Sequence, residues 1–318
     1  MAFWEENMKA FRNVLAAAIG ALGLMATAAV AEYPAKPITV IVPTKAGGGV
    51  DTMARALVAS MEETLGQSIN IVNKPGAGGT VGLQQLRAMP ADGYNIAMNA
   101  SVSFLQNPIT QGMDMGVEDF TIIGTTGAFQ MALVASSEAP YKGWEEFVAY
   151  AKENPGTKWY SLGKATVLTM QAIAKAEGID MAILPGQGGA TVAPTLIAGD
   201  ADLSISGGVH SKFLPSGELQ VLLNLLGDGE LMASPDVASS QELYGISMSN
   251  NMTVTAPAGL PADVLAALEA AVATAAASQG YKDTMAKIRY PVTYVNSADS
   301  TARYLEAEAS FKAIAGGS

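Results

Sequence analysis

The sequence predicts an α/β protein of two lobes, and three observations carry that expectation. Short apolar runs alternate with segments of helical periodicity in two successive series. Glycine-rich loops stand at several strand-to-helix junctions. The chain of 318 residues is 49% hydrophobic and only 15% charged, enough for two proper cores and unlike a disordered chain.

The first series opens with a strand over Ile38–Val42. A helix follows over Thr52–Leu65, where Met53, Ala56, Leu57, Met61 and Leu65 recur at helical spacing. Ile69–Val72 reads as a strand and Val81–Met89 as a helix. Pro90-Ala91-Asp92-Gly93 is a turn by its chemistry, and Tyr94–Met98 is the next strand. This βαβαβ order predicts a parallel sheet. The second series begins after Gln130–Ala135. It reads as helix Trp144–Glu153, strand Lys158–Ser161, helix Val167–Glu177, strand Met181–Leu184 and helix Ala190–Ala198, then strands Leu203–Ser206 and Leu219–Asn224. The tail returns to strand at Met252–Ala256 and turns helical at Pro261–Ala277, Tyr281–Arg289 and Ser300–Ala313. Too poor in strands for a third domain, it is expected to pack back on the first lobe. Residues 32–130 then form the first part of lobe one, 131–250 lobe two, and 251–318 the return. Two crossings, near Gln130–Ala135 and Ser249–Thr255, make a hinge with a ligand cleft between the lobes.

Residues 1–31 have the features of a secretory signal peptide. Lys9 and Arg12 precede the apolar run Val14–Met25, which leads to Ala29-Val30-Ala31. That run is shorter than the roughly 20 residues of a membrane-spanning helix. Met8 is an alternative start, because Glu5 and Glu6 sit badly in a basic leader. The mature chain is expected to begin near Glu32 as an exported protein without a lipid anchor, since there is no cysteine to carry one. Disulfides and thiolate metal sites are excluded for the same reason, and a single histidine, His210, excludes multi-histidine centres. The net charge of −11 argues against nucleic acid as a partner.

Two loops dominate the reading of function. One runs Pro43-Thr44-Lys45-Ala46-Gly47-Gly48-Gly49-Val50-Asp51, the other Asn73-Lys74-Pro75-Gly76-Ala77-Gly78-Gly79-Thr80. Glycine lets backbone approach a ligand, and the helix start behind offers unpaired N–H groups to an anion. Asp51 and Thr80 are expected to cap those helices, while Lys45 could pair a carboxylate or point to water. Tyr160-Ser161-Leu162-Gly163-Lys164-Ala165-Thr166, Pro185-Gly186-Gln187-Gly188-Gly189-Ala190-Thr191 and Ser206-Gly207-Gly208 place further hydroxyl and N–H groups at equivalent strand ends. The candidate ligand-binding set is therefore Thr44, Lys45, Ala46, Gly47, Gly48, Gly78, Gly79, Thr80, Ser101, Ser161, Thr166, Gly188, Gly189, Ala190 and Ser206.

Other chemistries fit poorly. No G-x-S-x-G elbow occurs, and an isolated His210 is a poor case for a general base. In Gly76-Ala77-Gly78-Gly79-Thr80-Val81-Gly82 the last glycine falls one residue late for a dinucleotide fingerprint. No acid follows the next strand, and no P-loop is present. Neither a catalytic residue, a cofactor nor a metal is called for.

The chain resembles the substrate-binding proteins of tripartite tricarboxylate transporters, the Bug or TctC-like family. The matching residues are Tyr33-Pro34-Ala35-Lys36-Pro37-Ile38, Pro43 with Ala46-Gly47-Gly48 and Asp51, and Asn73 to Gly82 followed by Pro90-Ala91-Asp92-Gly93-Tyr94. Gly188-Gly189-Ala190, Gly199-Asp200-Ala201-Asp202-Leu203 and Ala256-Pro257-Ala258-Gly259-Leu260-Pro261 complete the set. The resemblance implies a periplasmic, monomeric binding protein of the type II-like fold. It would close on a small organic carboxylate and deliver it to a two-component inner-membrane permease. The alternative is an exported receptor that presents its ligand to a sensor kinase. In the family one carboxylate sits on the two glycine loops while the second lobe selects the rest of the ligand. This chain departs from the pattern at Thr44-Lys45, where an aromatic is usual. It departs again at Gly186 and Gln187, where tyrosine and a basic residue are common, and at Ser206, where aspartate is common. A histidine frequent after Ser161 is also missing. Together these changes lead to the expectation of an aliphatic di- or tricarboxylate.

Overall fold

In the computed structural model, residues 33–186, 189–227 and 231–316 are described. The signal-peptide expectation falls on residues outside that set. The fold below belongs to the unit that begins at Lys36.

Ile38–Val42 (β1) is a buried inner strand of a six-stranded sheet, next to its edge, with Ile38, Val40, Ile41 and Val42 all but inaccessible. It pairs in parallel with Ile69–Asn73 (β2) on one side and Asn95–Ala100 (β3) on the other. Between β1 and β2 runs helix α1, Gly49–Leu65, which begins three residues before its expected start. Its buried Met53, Ala54, Leu57, Val58 and Met61 form one face, and it stops at Gly66 in the left-handed conformation that glycine tolerates best. Helix α2, Thr80–Arg87, joins β2 to β3. Two short helices follow, Val102–Leu105 (α3) and Asn107–Gln111 (α4), and then the long strand Phe120–Ala128 (β4).

The second sheet has five strands. Ala132–Ser136 (β5) enters it directly after β4. Helix Trp144–Glu153 (α5) follows, then Thr157–Ser161 (β6), Lys164–Glu177 (α6), Met181–Pro185 (β7), Val192–Ile197 (α7), Leu203–Ser206 (β8), Leu219–Asn224 (β9) and Ser240–Tyr244 (α8). Its core gathers Trp144, Phe147, Trp159, Ile173 and Leu223. The chain then returns through Asn251–Pro257 (β10) to Ala262–Ala277 (α9), Gln279–Ile288 (α10), Val292–Val295 (β11) and Ser297–Gly316 (α11).

The strand orders are β2-β1-β3-β10-β4-β11 and β7-β6-β8-β5-β9. Each sheet thus holds a parallel trio followed by an antiparallel strand that has just arrived from the other half: β10 beside β3 in the first, β5 beside β8 in the second. The parallel pairing expected of the βαβαβ series holds for β1, β2 and β3, and the antiparallel strands are additions that the local pattern did not show. Strands β5 and β10 run antiparallel to β8 and β3, and neither is joined to that neighbour by a βαβ crossover. The two crossings lie side by side, with the Phe129 N–H donating to the Asn250 carbonyl at 2.8 Å.

The tail reaches beyond the first sheet. Its helix α11 does bind the first sheet: the Tyr304 hydroxyl lies 2.7 Å from the hydroxyls of both Thr125 and Thr253. Two turns later, however, Phe311 joins the core of the five-stranded half. One helix therefore ties both halves. Its length decides this, since at about 1.5 Å per residue it outruns the first sheet.

Candidate functional site

The loop after β1 is built on a buried carboxylate. Asp51, 2% exposed, stands at the third position of α1. It accepts hydrogen bonds from the Gly47 N–H (2.8 Å), from Arg55 Nε (2.9 Å) and Nη2 (3.0 Å), and from Asn73 Nδ2 (2.9 Å). Asn73 Nδ2 also donates to the Thr44 carbonyl at 3.0 Å. Asn73 opens the second glycine loop, so this network welds the two loops together. Burial alone would raise the Asp51 carboxyl, but the bonds from Arg55, Gly47 and Asn73 together outweigh it and hold the pKa at about 2. Asp51 does not cap α1, whose N-cap is Gly48; from the third helical position its carboxylate instead braces both loops. Lys45, Ala46, Gly47 and Gly48 are exposed on the loop, and Thr44 Oγ1 is buried without a partner.

The second loop is clasped by residues that the sequence pattern did not single out. Gly78 and Gly79 hold φ of 69° and 99°, and a side-chain carbon on them would lie 2.4 Å from Asn107 Nδ2 and 2.5 Å from Ser103 Oγ. Glycine is required there by both conformation and space. Asn107 Nδ2 donates to the Gly78 carbonyl (2.8 Å) and Gln111 Nε2 to the Ala77 carbonyl (2.9 Å), so α3 and α4 form the outer wall of the loop. Thr80 does not cap α2, whose N-cap is Gly79. Its hydroxyl donates to the Ala77 carbonyl (3.0 Å) and lies 3.1 Å from Gln111 Oε1. Ser101 serves the crossing: its Oγ accepts the Asn251 N–H at 3.0 Å and lies 3.4 Å from Asn250 Oδ1.

In the opposing half, Thr166 Oγ1 accepts the Leu162 N–H (2.9 Å) and donates to the Gly163 carbonyl (2.7 Å), closing the loop before α6. The buried Ser161 accepts the Gly186 N–H on its carbonyl at 2.8 Å. A side chain at Gly186 would meet that carbonyl at 2.5 Å and the Tyr160 ring at 2.7 Å, so the neighbouring strand's aromatic already fills the space beside it. Gly189 and Ala190 are exposed in a short turn before α7. Gly188 and Gln187 lie outside the described residues. Ser206 is fully buried and its Oγ lies 2.9 Å from His210 Nδ1, with the Gly208 and His210 N–H groups each at 3.4 Å. Burial pushes the His210 pKa down to about 4, so the ring is neutral at pH 7.

Helices α1, α2, α6 and α7 all start behind the carboxyl ends of parallel strands, and none has a side-chain cap. Such helix starts carry leading N–H groups with a partial positive charge, which are donors suited to an anion. The two walls approach where Lys164, at the start of α6, donates to the Thr110 carbonyl of α4 at 3.4 Å. The arrangement can hold a polar anion by backbone groups. Among the described residues no cluster of potential metal ligands occurs.

Comparison with known proteins agrees with this geometry. The model of the tripartite tricarboxylate transporter family receptor matches residues 53–314. The chain belongs to that family. It is 30% identical over 294 residues to the "UPF0065 protein in gbd 5'region" of Cupriavidus necator, covering 90% of this chain and 89% of that one. A TctC solute-binding protein from Polaromonas superposes with a TM-score of 0.80 at 25% identity, covering 90% of this chain and all of that one. MatC of Rhodopseudomonas palustris, solved with bound malate, shares the fold at a TM-score of 0.72 and 22% identity, over 89% of this chain and 100% of that one. The receptor thus has the two-sheet fold of periplasmic solute-binding proteins, and its family consists of substrate-binding receptors and not enzymes. No helix among the described residues is long and apolar enough to cross a membrane.

Proposed function

We propose that this receptor captures a small aliphatic di- or tricarboxylate in the periplasm, as a monomer, and delivers it to a two-component inner-membrane permease. The observation that carries the reading is the weld of the two glycine loops by Asp51, Arg55 and Asn73, which fixes two uncapped helix starts side by side. One carboxylate would sit on the N–H groups of residues 46–48 and 78–80. The loops at 161–166, 188–190 and 206 would take the remainder of the ligand, with residues 32–130 and 251–318 closing against 131–250 about the paired crossings. Ligand favours the closed form because only that form engages both walls. Thr80, Ser101, Thr166 and Ser206 act in this scheme by shaping loops, since their hydroxyls are committed within the protein. The malate held by MatC, a protein of the same fold, supports the ligand class.

Equilibrium titration of the purified chain with malate, citrate, adipate, glutamate and benzoate tests the reading. Tightest binding of an aliphatic di- or tricarboxylate is expected, and a preference for glutamate or benzoate would overturn it. Loss of ligand uptake by cells lacking the neighbouring permease, with ligand binding intact, is the expected result for delivery.

A further inference from the structure

A cavity of about 530 Å³ lies apart from the glycine loops, within the range of roughly 300–1,000 Å³ common for small-molecule sites. Leu214, Pro215, Met232 and Ala233 wall it from the five-stranded half, and Ala286 and Arg289 from the C-terminal end of α10. None of the loop residues discussed above lines it. Its surface is apolar apart from one cation and the chain that holds it. Arg289 Nη1 donates to the Ser211 carbonyl, which orients the guanidinium. Among the described residues Arg289 enters no ion pair. Met232, 62% exposed, leaves a large apolar side chain facing solvent at the mouth.

A guanidinium held by a carbonyl keeps N–H groups for a second acceptor, and its planar fork suits a carboxylate. A single cation beside aliphatic walls selects one negative charge and a hydrocarbon body. We propose that this cavity binds an amphipathic monocarboxylate, with its carboxylate on Arg289 and its tail along Leu214, Pro215 and Met232. The chemistry is the converse of that proposed for the glycine loops, where backbone donors face a polar anion. Because the walls come from both halves, such a ligand also bridges them. The inference does not rest on the reading of the glycine loops.

Titration of the full chain with octanoate, followed by ligand-observed NMR with 1-octanol as the uncharged control, tests this. Saturable octanoate binding that excess malate does not displace is expected, with octanol binding weaker. Arg289→Gln should weaken octanoate about tenfold or more, the worth of one charge-assisted hydrogen bond. Ala286→Phe, at an exposed position, fills the cavity while keeping the guanidinium and should abolish binding with the thermal melt unchanged. Absence of saturable binding, displacement by malate, or affinity unchanged in both variants would overturn the proposal.

Discussion

The two walls of the site are built by different physics. The wall of the six-stranded half is braced by charge: a buried carboxylate gathers a guanidinium, a side-chain amide and a backbone N–H, and thereby locks two loops into one unit. Among the described residues, the wall of the five-stranded half contains no such pair. Its loops are closed by hydroxyls, by short backbone bonds, and by a neutral histidine against Ser206. A rigid cradle of backbone donors suits a group that every ligand shares. A wall of small, neutral, individually replaceable contacts suits the part that varies. The difference explains why selectivity belongs to the second wall in the proposed scheme.

Several substitutions would break or sharpen this contrast. The largest effect is expected at Gly79→Val, which puts a β-branched side chain at φ 99° and against Ser103. Loss of carboxylate binding and destabilisation of about 3 kcal/mol or more, read by urea denaturation, are expected. Asp51→Ala leaves Asn73 and the Gly47 N–H without their acceptor and should cost about 2 kcal/mol at pH 7, the worth of buried donors left unpaired. Thr166→Val, in the neutral wall, should cost only about 1 kcal/mol and shift ligand preference more than overall affinity for carboxylates. The smallest effect on folding is expected for the exposed Lys45→Gln: unchanged stability, with affinity falling for ligands of two or more charges.

The pH dependence separates the walls as well. The His210 pKa drops from 6.5 to about 4 on folding, so the unfolded chain binds the proton first. Stability from the neutral ring is full above pH 6.5 and is lost as pH falls towards 4. The Asp51 pKa drops from 3.8 to about 2, so its contribution is full above pH 3.8 and is lost only as pH falls towards 2. Urea unfolding at stepped pH should show the upper slope vanish in His210→Gln and the lower one in Asp51→Asn. A single slope common to both variants would refute the separation.

The sequence made the strands and the loop positions readable because each has a local cause. Ile38–Val42, Trp144–Glu153, Leu203–Ser206 and Leu219–Asn224 occupy the spans their apolar patterns predict. Strand β4 escaped notice because Gly124 and Gly127 interrupt its pattern. Both are small for a tertiary reason, packed against Val295 and Met285. Helices α3 and α4 are too short to show a period, yet Ser103, Asn107 and Gln111 hold the second glycine loop from there. Strand direction at β5 and β10 is set by the crossings between halves, which no local pattern encodes. At Gly186 the missing side chain reads as a simple loss, whereas the structure puts the Tyr160 ring of the adjacent strand beside that space.

The central claim is that backbone donors of the two welded loops hold a carboxylate. A crystal structure of the receptor with its tightest-binding carboxylate tests it most directly. The account predicts one carboxylate group within hydrogen-bonding distance, directly or through one water, of the N–H groups of residues 46–48 and 78–80. A ligand whose carboxylates all lie elsewhere, with those N–H groups facing only bulk solvent, would contradict it.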